Sequence, residues 1–446
     1  MTTPPTLDLL SDLVAKARAA GADSADAVMH HGVSVSVERR LGRIEKLERS
    51  EGQDLGLRVF IGQRQAIVSS SDLRPDALAA MVERALAMAR LAPEDPFCGI
   101  AGAELLATSF PNLDSVDPNE PDIELLLART AAAEDTAMGI AGITNSDGAS
   151  AGWGSGYSAL VTSAGFAGEN RSTWHSIAMT AVAGTGTGME RDYDYSSALH
   201  AEDLDDPVRI GRSAAERALR RLNPRKLETA KVPVIFDPRV AGGLISHALG
   251  AISGPSIARG TSFLKDKLGQ PVFSSKITVR EEPHRKRGLR SRPYDAEGLP
   301  TQARALFDKG VLTTWLLDLR SARQLNLAPT GHAARGTSGP PGAGATNLHM
   351  EPGSVSPAGL IAGIKRGFYV TELIGMGVNG LTGDYSRGAS GFLIEDGEIT
   401  VAVAEVTIAG NLKDMFKALT PADDLVFRHA TNVPTIRIDG MTVAGA

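Results

Sequence analysis

Hydrophobic positions along the chain change period several times, and each change marks an element. Leu7, Leu9, Leu10, Leu13, Val14 and Ala17 recur at helical spacing over residues 6–20, with Gly21 as a stop. From Ala25 to Ser70 the period becomes two: Val33, Val35 and Val37 alternate with Ser34, Ser36 and Glu38. Leu57–Phe60 and Gln65–Val68 flank Ile61–Arg64, which predicts a hairpin turn. Pro75 then opens a second helix carried by Leu78, Met81, Val82, Ala85, Leu86 and Met88. Helix, antiparallel strands and helix predict a compact α+β unit over residues 1–92. The segment Ala92–Pro96 and the Pro- and Asp-rich stretch Pro111–Pro121 read as linkers.

A second unit is expected over 115–223. A helix near Ile123–Ala137 leads into a strand meander with turn signals at Asn145–Gly148, Gly152–Gly156 and Gly165–Asn170. A helix from Pro207 to Leu222 closes it, with Asp205 and Asp206 at the positive end of its dipole. Arg209, Arg212, Arg217, Arg220 and Arg221 crowd this helix and read as a solvated basic face; a partner-docking face is the sharper alternative.

Pro224 and Pro233 bracket the boundary to a third unit, 230–446. Val232–Phe236 predicts a strand, and Asp237-Pro238 the start of a helix. Short strands follow at Lys276–Val279, Ala303–Phe307, Val311–Leu316, Gly391–Ile394, Thr400–Thr407 and Thr435–Ile438. Helices are brief: Pro357–Lys365 capped by Ser356, and Leu412–Leu419 after Asn411. Many short strands with Gly-rich turns predict a large β-rich domain, barrel- or sandwich-like, and the fold class is α+β.

Composition narrows the function classes. A chain of 446 residues suffices for two or three domains. Hydrophobic residues at 42% and charged residues at 22% describe an ordinary globular protein. A net charge of -6 gives no long-range attraction to nucleic acid or anionic lipid. The single cysteine, Cys98, excludes an internal disulfide and fits a reducing compartment. Met1–Pro5 lacks a basic start and an apolar signal core, and no stretch is long and apolar enough to span a bilayer. A cytoplasmic location is the expectation.

Motifs read directly from the residues are few. His30 and His31 are adjacent on a strand and point to opposite faces, so they do not readily share a metal. Gly375–Gly380 matches G-x-G-x-x-G, but Thr382–Ser386 after it reads as loop, whereas a dinucleotide site needs a helix there. Those glycines suit close backbone approach, in tight turns or under an extended peptide. The basic run His284–Arg292 has no interleaved aromatics and reads as a solvated loop or a subunit contact. Cys98 reads as a bystander.

Longer blocks carry a resemblance. Tyr294–Gly298 followed by Thr301-Gln302, Tyr369–Gly375, Gly380–Gly391, Ile408–Phe416 and Ile438–Gly445 resemble the PmbA (TldE) branch of the TldD/PmbA metalloprotease family. The likeness spans essentially the whole chain. It implies a subunit of a heteromeric TldD/TldE-like zinc peptidase that degrades or processes small or unfolded peptides. The catalytic branch carries His-Glu-x-x-x-His on a helix and a cysteine near the C-terminus. Here the helix positions are Ser246, His247 and Ala251, and Asp424–Pro434 has no cysteine. A hydrolytic zinc needs roughly three protein ligands and an open position. The departure implies no metal in this chain, zinc in a TldD-like partner of a heterodimer, and possible homodimerisation when the chain is alone. His247 reads as packing or surface. Gly380, Asp384 and Arg387 are candidates for facing substrate or partner, against an Asp384–Arg387 ion pair that holds the loop. Two alternatives stay open: an autonomous metallopeptidase with a different site, and a non-hydrolytic binding protein acting on DNA gyrase, after the family's older label.

Overall fold

The computed structural model describes residues 6–445. Helix α1 (Thr6–Ala19) precedes three strands, β1 (Ser24–Arg40), β2 (Arg43–Ile61) and β3 (Arg64–Ser70), and helix α2 (Pro75–Leu91) follows. After an extended segment come α3 (Ile123–Met138), β4 (Ile143–Thr162), β5 (Ala167–Ala183), β6 (Glu190–Ala198) and α4 (Pro207–Arg220). The six strands form one sheet in the order β3-β2-β1-β4-β5-β6. The first two stretches of sequence therefore share a sheet, joined where β1 pairs with β4.

Helix faces explain which end of this sheet each helix covers. Leu10, Leu13, Val14 and Ala17 of α1 and Leu78, Met81, Val82 and Ala85 of α2 pack on Leu55, Leu57 and Val59 of β2. Each fully buried leucine contributes on the order of 2 kcal/mol. Ala133 and Ala137 of α3 and Ile210, Ala214 and Ala218 of α4 pack on Ile177, Met179 and Ala181 of β5. Small residues let α3 and α4 approach closely; a Cβ on Gly211 would sit 2.0 Å from the Ala133 carbonyl oxygen.

The C-terminal part begins with β7 (Ala230–Phe236), α5 (Pro238–Ala251) and the short α6 (Gly254–Ala258). Strands β8 (Val279–Glu281), β9 (Arg304–Asp308) and β10 (Val311–Leu312) come next, then α7 (Leu319–Leu325), β11 (Ala333–Ala334), β12 (Gly342–Ala343), β13 (Leu348–Met350) and α8 (Pro357–Ala362). The remainder is β14 (Arg366–Ile374), β15 (Asp384–Glu395), β16 (Glu398–Asn411), α9 (Leu412–Ala418), β17 (Leu419–Pro421), β18 (Thr431–Asn432) and β19 (Ile436–Ala444). One sheet runs β16-β15-β14-β7-β19-β17, and β16 also pairs with β19, so five strands close into a barrel. The expected β-rich domain is thus a barrel with a second, five-stranded sheet, β10-β9-β8-β13-β18, beside it. Helix α5 seals the barrel core through Ala241, Leu244, Ile245, Ala248 and Ala251, packed with Phe236, Phe368 and Tyr385.

Several local expectations need correction. Gly152–Gly156 is not a turn but the middle of β4, paired with Ser172–Ser176 of β5. Its alternate glycines make room for the Trp174 ring: a Cβ on Gly154 would lie 2.4 Å from Trp174 Nε1. Asn145–Gly148 is a bulge within β4 rather than a strand end, with Gly148 at φ +108. Lys276–Thr278 precedes β8 instead of forming it, because Ile277 N–H turns back to Ser274 O. Strand pairing after Val311 stops at Leu312, and Leu316 N–H bonds instead to Ile252 O beside α5. The helix at Pro357 ends at Ala362, before Lys365. Residues 111–121 are no free linker: Leu113 and Asp117 are buried, and Thr173 N–H of β5 bonds to Ser115 O.

The basic helix and loop also differ from the solvated reading. Arg217 pairs with Asp194 of β6 at 3.2 Å, and Arg221 reaches Glu372 of β14 at 2.5 Å. Arg287 engages Asp114, Glu202 and Asp203, tying the loop to the segments before α3 and α4. Arg292 bonds the carbonyls of Ala333 and Gly344. These arginines stitch the chain to itself.

Candidate functional site

Asp237 starts α5 by accepting the Arg239 N–H at 3.0 Å. Pro238 suits the first helical position because its missing N–H would be unpaired there. Along the helix, Ser246 is exposed and its hydroxyl donates back to Gly242 O at 3.1 Å. Ala251 is buried in the barrel core at 5% exposure. His247 is half-buried and meets the Tyr385 ring edge-on at 5.9 Å between centroids. Burial, and then the Arg387 charge, push its imidazole below the usual histidine range. The imidazole is therefore neutral at pH 7 and packs as an aromatic.

Asp384 and Arg387 lie on β15, which begins at Asp384 where the sequence suggested loop. Three residues apart on a strand, their side chains leave opposite faces. The expected ion pair does not form. Asp384 accepts from Thr382 Oγ1 at 2.6 Å and Asn411 Nδ2 at 2.9 Å, which together hold its carboxyl below the usual range. Arg387 Nε donates instead to Ile374 O at 3.3 Å. Arg387 and His247 share a face of the barrel with Tyr385, while Asp384 belongs to the turn that Gly380 enters. The structure thus places Arg387 near α5 and Asp384 in a separate turn. Within that turn Gly377 is obligatory, since a Cβ there would stand 1.9 Å from Ser386 O.

A groove that sequence reading missed runs beside the start of α5. Two adjoining cavities, of about 530 and 410 Å³, share Tyr195, Val426, Arg428, His429 and Asn432. The first is bounded by the basic loop at Arg285 and Lys286, the second by Asp237, Arg239 and Tyr369. The groove lies between the edge strand β6 and residues 424–432, part of the cysteine-free stretch Asp424–Pro434. Tyr195 Oη and His429 Nδ1 are 3.3 Å apart, and their rings stack loosely at 5.2 Å. Burial, with Arg428 beside it, lowers the His429 pKa. Arg285 lies over the Phe427 ring at 3.6 Å, a cation–π contact on the groove wall. Under the groove, Arg239 Nη1 binds Asp192 Oδ1 at 2.8 Å, and Tyr369 Oη donates to Asp237 Oδ2 at 3.0 Å. Burial raises the Tyr369 pKa, so the phenol stays protonated. The one trace of this groove in the sequence is the alternation Asp192-Tyr193-Asp194-Tyr195, whose aspartates turn inward and tyrosines outward on β6.

Models of three metallopeptidase domains match the chain in order: PmbA/TldA domain 1 over residues 25–89, the central domain over 116–222, and the C-terminal domain over 229–445. The chain belongs to the PmbA/TldD metallopeptidase family. It is 39% identical to Metalloprotease PmbA of Escherichia coli O157:H7 over 425 residues, covering 95% of this chain and 92% of the relative. It is 37% identical to the Metalloprotease PmbA homolog of Haemophilus influenzae, covering 98% and 95%. A solved Bacteroides thetaiotaomicron protein, described as a candidate modulator of DNA gyrase, superposes with TM-score 0.92 at 28% identity over the full length of both chains. TldE from Thermococcus kodakarensis, at 22% identity and TM-score 0.87 over 98% of this chain and 100% of that one, shares the fold.

Membership raises the question of a metal, and the residues at the expected place do not fit one. The Ala251 side chain has no donor atom and faces the barrel core, the Ser246 hydroxyl is committed to its own helix, and His247 faces Tyr385. Among the described residues there is no cluster of three His, Cys, Asp or Glu side chains able to hold an ion.

Proposed function

We propose that this chain is the non-catalytic, PmbA/TldE-type subunit of a heteromeric zinc peptidase. Metal and hydrolytic water belong to a TldD-like partner carrying His-Glu-x-x-x-His. This subunit completes the chamber and helps hold extended peptide. Its substrates are small or unfolded polypeptides, and its compartment is the cytoplasm.

The observation that carries the reading is the Ala251 methyl group, buried in the barrel core where the resemblance implies a zinc ligand in the catalytic branch. The groove along β6 supports it: a strand edge captures peptide through the backbone with little regard for sequence. Tyr195, Phe427 and the Arg285 and Arg428 charges add apolar and cationic contacts for side chains and carboxylates.

Co-expression with the sister chain, followed by sizing, metal analysis and a peptide-cleavage assay, tests this. The expected outcome is co-elution, with cleavage that needs both chains. The isolated subunit should carry far less than about one zinc per chain, the load a structural or catalytic site would hold. A stoichiometric zinc in the isolated chain, or sister-chain activity indifferent to this subunit, overturns the proposal.

A further inference from the structure

The face of the N-terminal sheet that α1 and α2 leave uncovered meets the C-terminal part across a cavity of about 220 Å³. Ala25, Ala27 and Met29 of β1 pack toward the helices, so Asp26, Val28 and His30 turn to the other face. His30 stands opposite Ser158 of β4, and Ser158 opposite Asn170 of β5, which sets three polar side chains in a row across three strands. Arg292, Tyr294 and Arg335 of the C-terminal part line the other side. The volume is far above the roughly 15 Å³ that one water needs. A wider hollow of about 580 Å³ shares His30, Ser158 and Asn170 and opens to solvent, with Asp54 at its rim held by Thr337 Oγ1.

Both arginines of this cavity have more positive charge than their surroundings offset. The Arg335 side chain is only 3% exposed; its Nη1 meets Asp26 Oδ1 at 2.6 Å, and its Nε is buried with no hydrogen-bond partner. Asp26 is shared with Arg58. Burial pushes the Glu297 carboxyl up to about 8, so at neutral pH Asp26 alone answers Arg58 and Arg335. Arg292 spends Nη1 and Nη2 on the carbonyls of Ala333 and Gly344, and its Nε is likewise buried and unpartnered. Asp295, the acid lining the cavity, has given its two oxygens to the backbone N–H groups of Glu297, Leu299 and Ala333. Burial, against the pull of Asp26 on Arg335 and of Asp295 on Arg292, holds both guanidiniums below their usual pKa range. Burial, and then the Arg335 charge, keep His30 neutral, so it adds no further cation.

We propose that this cavity binds a small organic carboxylate of amino-acid size, which takes the unpartnered Nε–H groups of Arg335 and Arg292. A buried guanidinium without an anion is costly, and a bound carboxylate offsets that cost. Its planar oxygens accept from guanidinium N–H groups in a geometry that rounder anions match less well. Ser158, Asn170 and the Tyr294 hydroxyl offer hydrogen bonds to the rest of the ligand, and Val28, Leu160 and Pro293 an apolar wall. Because the walls come from both the N-terminal sheet and the C-terminal part, a ligand held there fastens the two together and stabilises the fold by mass action. The proposal is independent of the subunit's role in peptide cleavage.

Calorimetric titration of the full chain with N-acetylglycine, with its amide and with inorganic phosphate, at constant ionic strength, tests the site. N-acetylglycine should bind in or below the millimolar range and raise the melting temperature, and the amide should bind at least roughly tenfold more weakly. Asn170→Asp puts a negative charge on the sheet side of the cavity without touching either arginine. It should weaken binding about tenfold without lowering the melting temperature of the ligand-free protein. Arg335→Lys keeps a cation for Asp26 but loses the second N–H edge, and should weaken binding by a similar factor. Equal binding of acid and amide overturns the proposal, as does phosphate binding in place of the acid. So does full affinity in the Asn170→Asp variant, or no binding of the acid up to the millimolar range.

Discussion

Helix α5 and the joint between the N-terminal sheet and the C-terminal part distribute polar chemistry in opposite ways. Beyond Arg239, the helix carries only Ser246 and His247 as polar side chains, and both are turned to local contacts. The joint gathers four buried ionisable groups from four separate places: Asp26 of β1, Arg58 of β2, Glu297 and Arg335. Arg58 Nε meets Asp26 Oδ2 at 2.9 Å, and Arg335 Nη1 meets Asp26 Oδ1 at 2.6 Å. Perturbed, buried charges are often read as marks of catalysis, but they also arise wherever a structural ion network is desolvated. In this chain they mark where the domains are fastened. The inward face of α5, by contrast, is packed as uncharged core.

The sharpest way to break that contrast is to remove the carboxylate at the centre of the joint. Asp26→Ala leaves two buried guanidiniums facing each other without their shared anion. Removing one partner of a buried ion pair typically costs about 3–5 kcal/mol. Chemical denaturation should show a loss of that order, and the N-terminal sheet should detach before the barrel unfolds. A change below about 1 kcal/mol would mean that the joint is wetter than its geometry implies.

These two regions were not equally legible. Helix α5 could be read from the chain because its signals are local: Asp237-Pro238 at its start, apolar residues at helical spacing, and the missing donors at Ser246 and Ala251. The β1 and β4 strands were visible by alternation. Their union into one sheet was not, because pairing across more than a hundred residues leaves no local trace. The joint was invisible for the same reason: Asp26, Arg58, Glu297 and Arg335 are far apart in sequence, and each alone looks like surface charge. Gly152–Gly156 misled because glycine signals both turn and close packing, and only Trp174 on the neighbouring strand distinguishes them. The groove failed to appear because Tyr195 and His429 come from different domains.

An effect smaller than that of Asp26→Ala tests the packed side of the contrast. Ala251→His restores the residue that the proposed function expects of a catalytic sister chain, but inserts an imidazole where a methyl group now fills the barrel core. Overpacking of this kind costs roughly 1–3 kcal/mol. Ser246→His, on the exposed side of the same helix, should change the melting temperature little. The two variants combined should still bind no stoichiometric zinc, since neither the C-terminal cysteine nor a free donor stands opposite. Tight zinc binding by the pair would show that the cleft kept its shape and lost only its ligands.

The third effect is a slope rather than an amplitude. Burial pushes the Glu297 carboxyl up to about 8, against the pull of Arg58 and with Asp295 and Asp318 adding to the rise. The folded state therefore holds a proton there that the unfolded chain releases near pH 4.5. Between about pH 5 and 8 the folded protein binds more protons than the unfolded one, so stability falls as pH rises and levels off above 8. Glu297→Gln keeps an oxygen for the Leu319 N–H, which now bonds Oε2 at 2.8 Å, and removes the titration. Its stability profile should be flatter over this window, by up to about 1.4 kcal/mol per pH unit. Asp26 does not mimic the effect, because Arg335 and Arg58 outweigh the cost of burying it and hold its carboxyl below the usual range, so its contribution changes only in acid. Identical slopes for the two proteins would mean that Glu297 is ionised at neutral pH. The joint would then be a balanced set of two anions and two cations instead of one carrying a net positive charge, and its contrast with the uncharged core around α5 would be one of polarity alone.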